Sequence, residues 1–407
     1  MILQGKIVNF DSQTEGQVLI NEQTGLIEQV GQNLGSADLK TEGFIFPGFI
    51  DVHVHVREDV SGKELYKEGL KTASDAAING GVTHLVDMPN NPVPPIDDAS
   101  YAEKKKIFKN SLVDVTLYAG VGQNTEPLST PVPYKVFLAK PPVGALFFQS
   151  EAAVEEVMAR YCGQYLSFHA EDAEILDAHK GAPAHEQQRP PEAETKAIET
   201  VIELAEKFDL RAKICHLSTA AGLEKIKAAK KRGINMTCEV TPHHLYFDES
   251  HLTQENRKWL QMNPPLRSKE DRAAMLEGLK SGDIDFLATD HAPHTLEEKI
   301  RGTSGLPHLD TYGPFITWLM KEQGFSASQI ARVCGGNPGE FVNQFTEEKF
   351  GAIKPGFVGS LTIVNPDEPL TVSKEILKTK CAWSPFEGVT FPGRVTHTII
   401  RGKVYQI

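Results

Sequence analysis

From Ile50 to Arg57 apolar and polar residues alternate strictly, with Ile50, Val52, Val54 and Val56 set against Asp51, His53, His55 and Arg57. A period of two sends successive side chains to opposite faces of a strand, so this stretch predicts a strand whose four polar residues share one face. Two imidazoles then point the same way, which suits a divalent transition metal. A solvated strand face would carry the same pattern, and only further ligands elsewhere can make it specific.

Downstream, runs of β type recur at 81–87, 113–119, 134–139, 165–169, 212–216, 235–240 and 284–290, and amphipathic helical stretches alternate with them at 66–78, 151–161, 192–208 and 220–232. That alternation is the pattern of parallel βα units. With the opening strand the count is eight, which predicts an α/β fold of the (β/α)8 TIM-barrel type with its active site at the C-terminal ends of the strands. Both ends of the chain read differently. Short alternating runs at 2–9, 17–21 and 26–30, and again at 360–364 and 395–400, show no helical period. They predict one small β domain built from both termini, 1–46 with 350–407, around a barrel of 47–349.

Composition narrows the function classes. No apolar run of the 407 residues reaches the roughly 18 that a membrane helix needs, and the opening Met1 to Lys6 lacks a secretory signal's charged and apolar regions, so a cytosolic protein is expected. A net charge of −12 argues against a nucleic-acid or anionic membrane surface. The five cysteines have neither disulfide-framework nor Cys-x-x-Cys spacing and read as core thiols. An anionic ligand therefore needs a local cation.

What stands where each strand runs out is chemically uniform. His53 and His55 close the first strand, His169 closes Ser-Phe-His, His216 closes Ile-Cys-His, and Asp290 closes the last. Any one of these histidines could be a satisfied residue at the core edge. Together they place metal ligands at four strand ends, which chance gives no reason to expect.

The motifs carrying this pattern are Gly-Phe-Ile-Asp-Val-His-Val-His-Val-Arg at 48–57, Asp-Met-Pro-Asn-Asn at 87–91, Tyr-Lys-Val-Phe-Leu at 134–138, Phe-His-Ala-Glu at 168–171, Ile-Cys-His-Leu at 214–217, Cys-Glu-Val-Thr-Pro-His-His-Leu at 238–245, Met-Asn-Pro-Pro-Leu-Arg at 262–267, Thr-Asp-His-Ala-Pro-His at 289–294 and Ser-Pro-Phe-Glu-Gly at 384–388. The chain resembles the amidohydrolase superfamily and, within it, the dihydroorotases, over about 43–393. The resemblance implies reversible closure of N-carbamoyl-aspartate to dihydroorotate in pyrimidine synthesis. It implies two divalent ions, usually zinc, bridged by a carboxylated lysine. The residues alone leave Lys135 and Lys140 open for that role; the resemblance points to Lys135. His53, His55 and Asp290 would then serve one metal, and His169 and His216 the other. Asp290 would also be the catalytic proton carrier, taking a proton from water activated by the metals and passing it to the leaving nitrogen. The small anionic substrate would be bound by Arg57, Asn90 and Asn263, with His294 as a further donor and His55 close by. Glu171, Asp172 and Cys215 adjoin ligands and could support them; His243 and His244 read as structural.

The chain departs from the family where relatives read Arg-Glu-Pro-Gly and it has Arg57-Glu58-Asp59-Val60-Ser61-Gly62, and 139–144 does not match the substrate-closing loop of the animal enzymes. Two other readings stay open. One is a neighbouring cyclic amidase, an allantoinase or dihydropyrimidinase. The other is a catalytically silent subunit scaffolding aspartate transcarbamoylase, which should have lost ligands that this chain keeps. As partners the resemblance implies a homodimer or a complex with aspartate transcarbamoylase.

Overall fold

The computed structural model describes residues 1–139 and 146–407. Eight parallel strands run in the order anticipated: Phe49–Val54, Val82–Asp87, the pair Asp114–Leu117 and Ala119–Gly120, Tyr134–Phe137, Tyr165–His169, Arg211–Ile214, Met236–Val240 and Phe286–Leu287. The third is one strand interrupted at Tyr118, with its first half paired to Val82–Asp87 and its second to Tyr134–Phe137. Closure is made by side chain as well as backbone. Asp51 accepts from Thr289 N (3.0 Å) and from the Thr289 hydroxyl, Val54 bridges His291, and His55 N donates to His291 O (2.8 Å). The alternation that suggested a polar face is therefore real, but the face is the barrel interior. Burial alone drives the Asp51 carboxyl up, to about 6, against the bonds it accepts from Thr289.

Both chain ends form one seven-stranded sheet, in the order Lys403–Gln406, Arg394–Ile400, Leu361–Asn365, Leu39–Pro47, Ile2–Val8, Gln13–Asn21, Leu26–Gly31. Two of these strands are absent from the sequence reading. Leu39–Pro47 has Gly43 within it and no clean alternation, and Lys403–Gln406 is only four residues long. Leu39–Pro47 leads almost directly into the first barrel strand through Gly48, where a Cβ would lie 2.1 Å from Thr83 Oγ1 and 2.9 Å from Ser360 O. Only glycine lets sheet and barrel approach so closely. The chain between Leu370 and Phe391 leaves the sheet and returns to the barrel, packing Phe386 against Tyr246, Phe247 and Phe315 and bonding Trp383 Nε1 to His294 O (2.8 Å).

The outer helices include Leu70–Gly80, Glu151–Arg160, Pro191–Phe208 and Ala220–Lys231. Pro191 opens its helix at the position where a missing N–H costs nothing, and Thr219 caps the next by accepting from Gly222 N. The first helix starts at Leu70 rather than 66 because the Glu58 carboxylate caps it from a distance, receiving Leu70 N at 2.6 Å. Lys67 is thereby left in a loop at the barrel mouth, where it lines the cavity. Among the described residues no helix is long and apolar enough to cross a membrane.

Candidate metal centre

A cavity of about 880 Å³ opens at the C-terminal end of the barrel. Its lining contains His53, His55, Arg57, Asn90, Lys135, His169, His216, Asn263, Asp290 and His294, so the residues expected to hold the metals and the substrate face one space. Three of them hold strained backbone. Arg57, His216 and Asp290 have φ of 64°, 36° and 46°, three of the six non-glycine residues with positive φ among the described residues. Each lies just past a strand end, where the chain turns sharply to aim its side chain inward.

The imidazoles and the carboxylate converge. Nε2 of His53 and Nε2 of His55 each lie 3.1 Å from Asp290 Oδ1, and His169 Nδ1 lies 2.9 Å from His216 Nε2. Hydrogen-bond partners decide which nitrogens can ligate. His53 Nδ1 faces the Glu239 carboxylate and His169 Nε2 the Glu171 carboxylate (2.7 Å), and a carboxylate can only accept. Those nitrogens carry the protons, leaving His53 Nε2 and His169 Nδ1 as lone-pair donors turned into the cavity. The lone pair of His53 thus confronts the oxygen of Asp290, two acceptors that need a cation or a proton between them. Burial lowers the His53 pKa, but the Glu239 and Asp290 carboxylates outweigh it and raise it well above normal, as they would favour any cation at this point. Burial holds His55, at about 3, His169 and His216 below their usual value and hence neutral, as ligation requires. For Asp290 burial raises the pKa, yet His53 and His55 overcome it and keep the carboxylate ionised. His216 Nδ1 is buried without a partner among the described residues.

Lys135 is buried, with no carboxylate pairing to it among the described residues; its Nζ donates to Cys215 Sγ at 2.9 Å. A lysine that reaches a ligand cluster without a counter-charge is the chemistry a carbamate needs. Lys140 and the stretch 140–145 lie outside the described residues.

The amidohydrolase family profile matches residues 44–405. The chain belongs to this family. Among its relatives, a dihydroorotase of Pyrococcus furiosus is 34% identical over 409 residues, covering 99% of this chain and 92% of the relative. A dihydroorotase of Lactobacillus acidophilus is 32% identical, covering 99% and 96%. In fold the chain matches an L-hydantoinase (dihydropyrimidinase) from Arthrobacter aurescens with a TM-score of 0.87 at 24% identity, covering 99% of this chain and 95% of the other. A D-hydantoinase from Thermus sp. gives 0.87 at 22%, covering 99% and 94%.

Of the groups that hold the ligands in this amidohydrolase, Glu171 and Cys215 stand out in the sequence, whereas Glu239, Lys213 and Arg189 do not. Glu239 is fully buried and receives His53 Nδ1, His216 N (3.2 Å) and Lys213 Nζ at once. Burial pushes its carboxyl up, but Lys213 and His53 pull it down to about 2. The one signal for it was a glutamate in the otherwise apolar run Cys238-Glu239-Val240. Glu171 holds His169 and is itself held by Arg189, whose Nε lies 3.0 Å from Oε1. Glu171 and Cys215 accordingly touch ligands, whereas Asp172 does not: its side chain caps the helix Ala173–His179 by accepting from Ile175 N (2.8 Å). His244 Nε2 lies 3.1 Å from Pro264 O, beside Asn263, and His243 Nδ1 lies 2.9 Å from His308 Nε2, so both are buried among scaffold groups. The departing loop is also explained. Asp59 Oδ1 accepts from Ser61 N (2.8 Å) and Gly62 N (3.2 Å) while Oδ2 takes Val93 N (2.7 Å), an Asx turn in place of Pro-Gly.

Because His169 and His216 turn toward one another in the cavity, with Nδ1 of the first 2.9 Å from Nε2 of the second, His169→Ala and His216→Ala are expected to lose bound metal and activity together. Metal analysis of the purified variants checks this; full metal content with normal turnover in both would remove them from the site.

Proposed function

We propose that this amidohydrolase is a dihydroorotase, interconverting N-carbamoyl-L-aspartate and L-dihydroorotate in pyrimidine biosynthesis, with 47–349 as the catalytic barrel and 1–46 with 350–407 as the β domain. The observation that carries the choice of substrate is Arg57. Its guanidinium is buried in the wall of the metal cavity, pairs with no carboxylate among the described residues, leaves Nε without a partner and touches only the uncharged His294 ring, at 3.3 Å. An unpaired buried cation costs several kcal/mol and is retained where an anion completes it. Dihydroorotate carries a fixed carboxylate beside its ring; allantoin and dihydrouracil do not. The full-length relatives named dihydroorotase support the same choice.

His53, His55 and Asp290 would hold one divalent ion and His169 and His216 the other, with carboxylated Lys135 between; the donor set of imidazole nitrogens and carboxylate oxygens suits zinc. When bound, such a pair lowers the pKa of shared water and polarises the ring carbonyl. Ring opening then breaks the bond between that carbonyl carbon and the ring nitrogen, giving a carboxylate and a ureido nitrogen. Asp290 supplies what remains, accepting the proton of water at Oδ and delivering it to the departing nitrogen. Arg57 clamps the substrate carboxylate. Asn90, whose Oδ1 is buried without a partner among the described residues, and Asn263, whose Oδ1 is fixed by His185 Nε2 at 2.9 Å, leave amide donors for the same group. His294 has a different part from a direct donor. Glu298 faces its Nδ1 at 3.2 Å and must receive that proton, so the neutral ring, with a pKa that burial, Arg57 and Lys67 push down to about 3, presents Nε2 as an acceptor to Arg57.

Arg57→Ala should raise KM for dihydroorotate by about 10- to 150-fold, the roughly 1.5–3 kcal/mol of a charge-assisted hydrogen bond. Arg57→Lys should rescue it poorly, since an ammonium cannot replace a planar fork. Steady-state kinetics in both directions tests this, and unchanged KM and kcat in Arg57→Ala would move the carboxylate site elsewhere.

A further inference from the structure

Behind the substrate side of the cavity lies a buried ammonium that the mechanism does not use. Lys299, in the short helix Leu296–Ile300, is fully buried and has no carboxylate partner among the described residues. Its Nζ donates to three main-chain carbonyls, Gln261 (2.9 Å), Thr303 (2.8 Å) and Gly305 (3.0 Å). Burial pushes its pKa down to about 7, the measure of what keeping a charge there costs.

Each of the three carbonyls leads to the substrate pocket. Thr303 and Gly305 line the cavity, and Gln261 stands two residues before Asn263. Gly305 lies directly against His294: its φ is 137°, and a Cβ there would sit 2.9 Å from His294 Cδ2 and 2.6 Å from Ala292 O. Gly305 N in turn donates to Gln261 O at 3.0 Å. The same helix contributes Glu298, which faces Nδ1 of that His294 ring. His294 is therefore held at one edge by Glu298 and along its flank by the Gly305 backbone, and its Nε2 is the only protein atom hydrogen-bonded to the Arg57 guanidinium among the described residues.

We propose that Lys299 is a positioning residue for substrate recognition, an internal cation that gathers the carbonyls of Gln261, Thr303 and Gly305 so that His294, and through it Arg57, are set for the substrate carboxylate. The inference rests on the dihydroorotase reading. It places Lys299 in the recognition half of the site, since none of its hydrogen bonds goes to a proposed metal ligand, and so separates its effect from theirs. Removing the ammonium takes one shared donor from all three carbonyls, Gln261 O keeping only Gly305 N, and frees the wall behind His294, which should show in binding and spare the chemical step.

The test is Lys299→Met, close in volume and without a donor, measured with L-dihydroorotate beside the wild type, Arg57→Ala and the double variant. KM should rise about tenfold, the loss of one good hydrogen bond to the substrate. Bound metal should stay at the wild-type level, kcat should change far less than KM, and Lys299→Met should add little in the Arg57→Ala background, because both act through one contact. A folded Lys299→Met with unchanged KM, or one that loses kcat while KM holds, overturns the proposal and leaves Lys299 a purely structural residue. Should that variant fail to fold, Gln261→Leu decides by the same criterion. It removes the side-chain bonds to Gly302 O and Ser304 Oγ that brace the same wall and keeps Lys299 in place. Wild-type protein inert toward dihydroorotate would instead refute the substrate reading, and the inference with it.

Discussion

Asp290→Asn is expected to lower kcat by about 10²- to 10⁴-fold, the usual worth of a positioned general base, while part of the metal stays bound. Asparagine keeps the shape of the side chain and one oxygen. It cannot accept the water proton and return it to the ring nitrogen. The geometry makes the substitution a clean one, since Oδ1 already lies 3.1 Å from both His53 Nε2 and His55 Nε2 and the backbone at Asp290 is held at a positive φ by its strand end. Arg57→Ala should act on KM instead, so the two variants separate proton transfer from binding. An Asp290→Asn enzyme with near-normal kcat would end the proton-carrier assignment.

Lys135→Ala is expected to be close to inactive and to regain part of its activity with short carboxylic acids. The proposed carbamate contributes a bridging negative charge that neither alanine nor methionine can supply, whereas a small carboxylate diffusing into the cavity can. Lys135 is placed for this role, buried on the strand Tyr134–Phe137 and lining the cavity with the histidines. Lys140→Ala should remain active. Activity in Lys135→Ala together with its loss in Lys140→Ala would transfer the carbamate to the other lysine.

The ligands were legible in the sequence because they sit at strand ends. A β-type run that stops in histidine or aspartate states both a strand and what stands at its mouth, and four such stops placed His53, His55, His169, His216 and Asp290 around one cavity. Glu171 and Cys215 were legible as neighbours of ligands, but the other groups behind the site were not, for a physical reason. Glu239 and Lys213 face into the barrel from neighbouring strands, and their pairing depends on the closed ring of strands, which no local pattern encodes. Arg189 and Lys299 act over chain separations set by loop geometry, the first on Glu171 and the second on Gln261. The positive φ at Arg57, His216 and Asp290 is equally hard to read, since histidine and aspartate adopt it only now and then and no glycine marks the three turns. In the terminal sheet the strand Leu39–Pro47 escaped because Gly43 interrupts its pattern, although it is the strand that joins sheet to barrel.

The most direct measurement is the turnover of L-dihydroorotate, allantoin and dihydrouracil by the same metal-analysed preparation. Ring opening of dihydroorotate, with ring closure of N-carbamoyl-L-aspartate in the reverse assay and little turnover of the two uncharged rings, is the predicted result. Preference for allantoin or dihydrouracil, or metal-replete protein with no action on dihydroorotate, would contradict it.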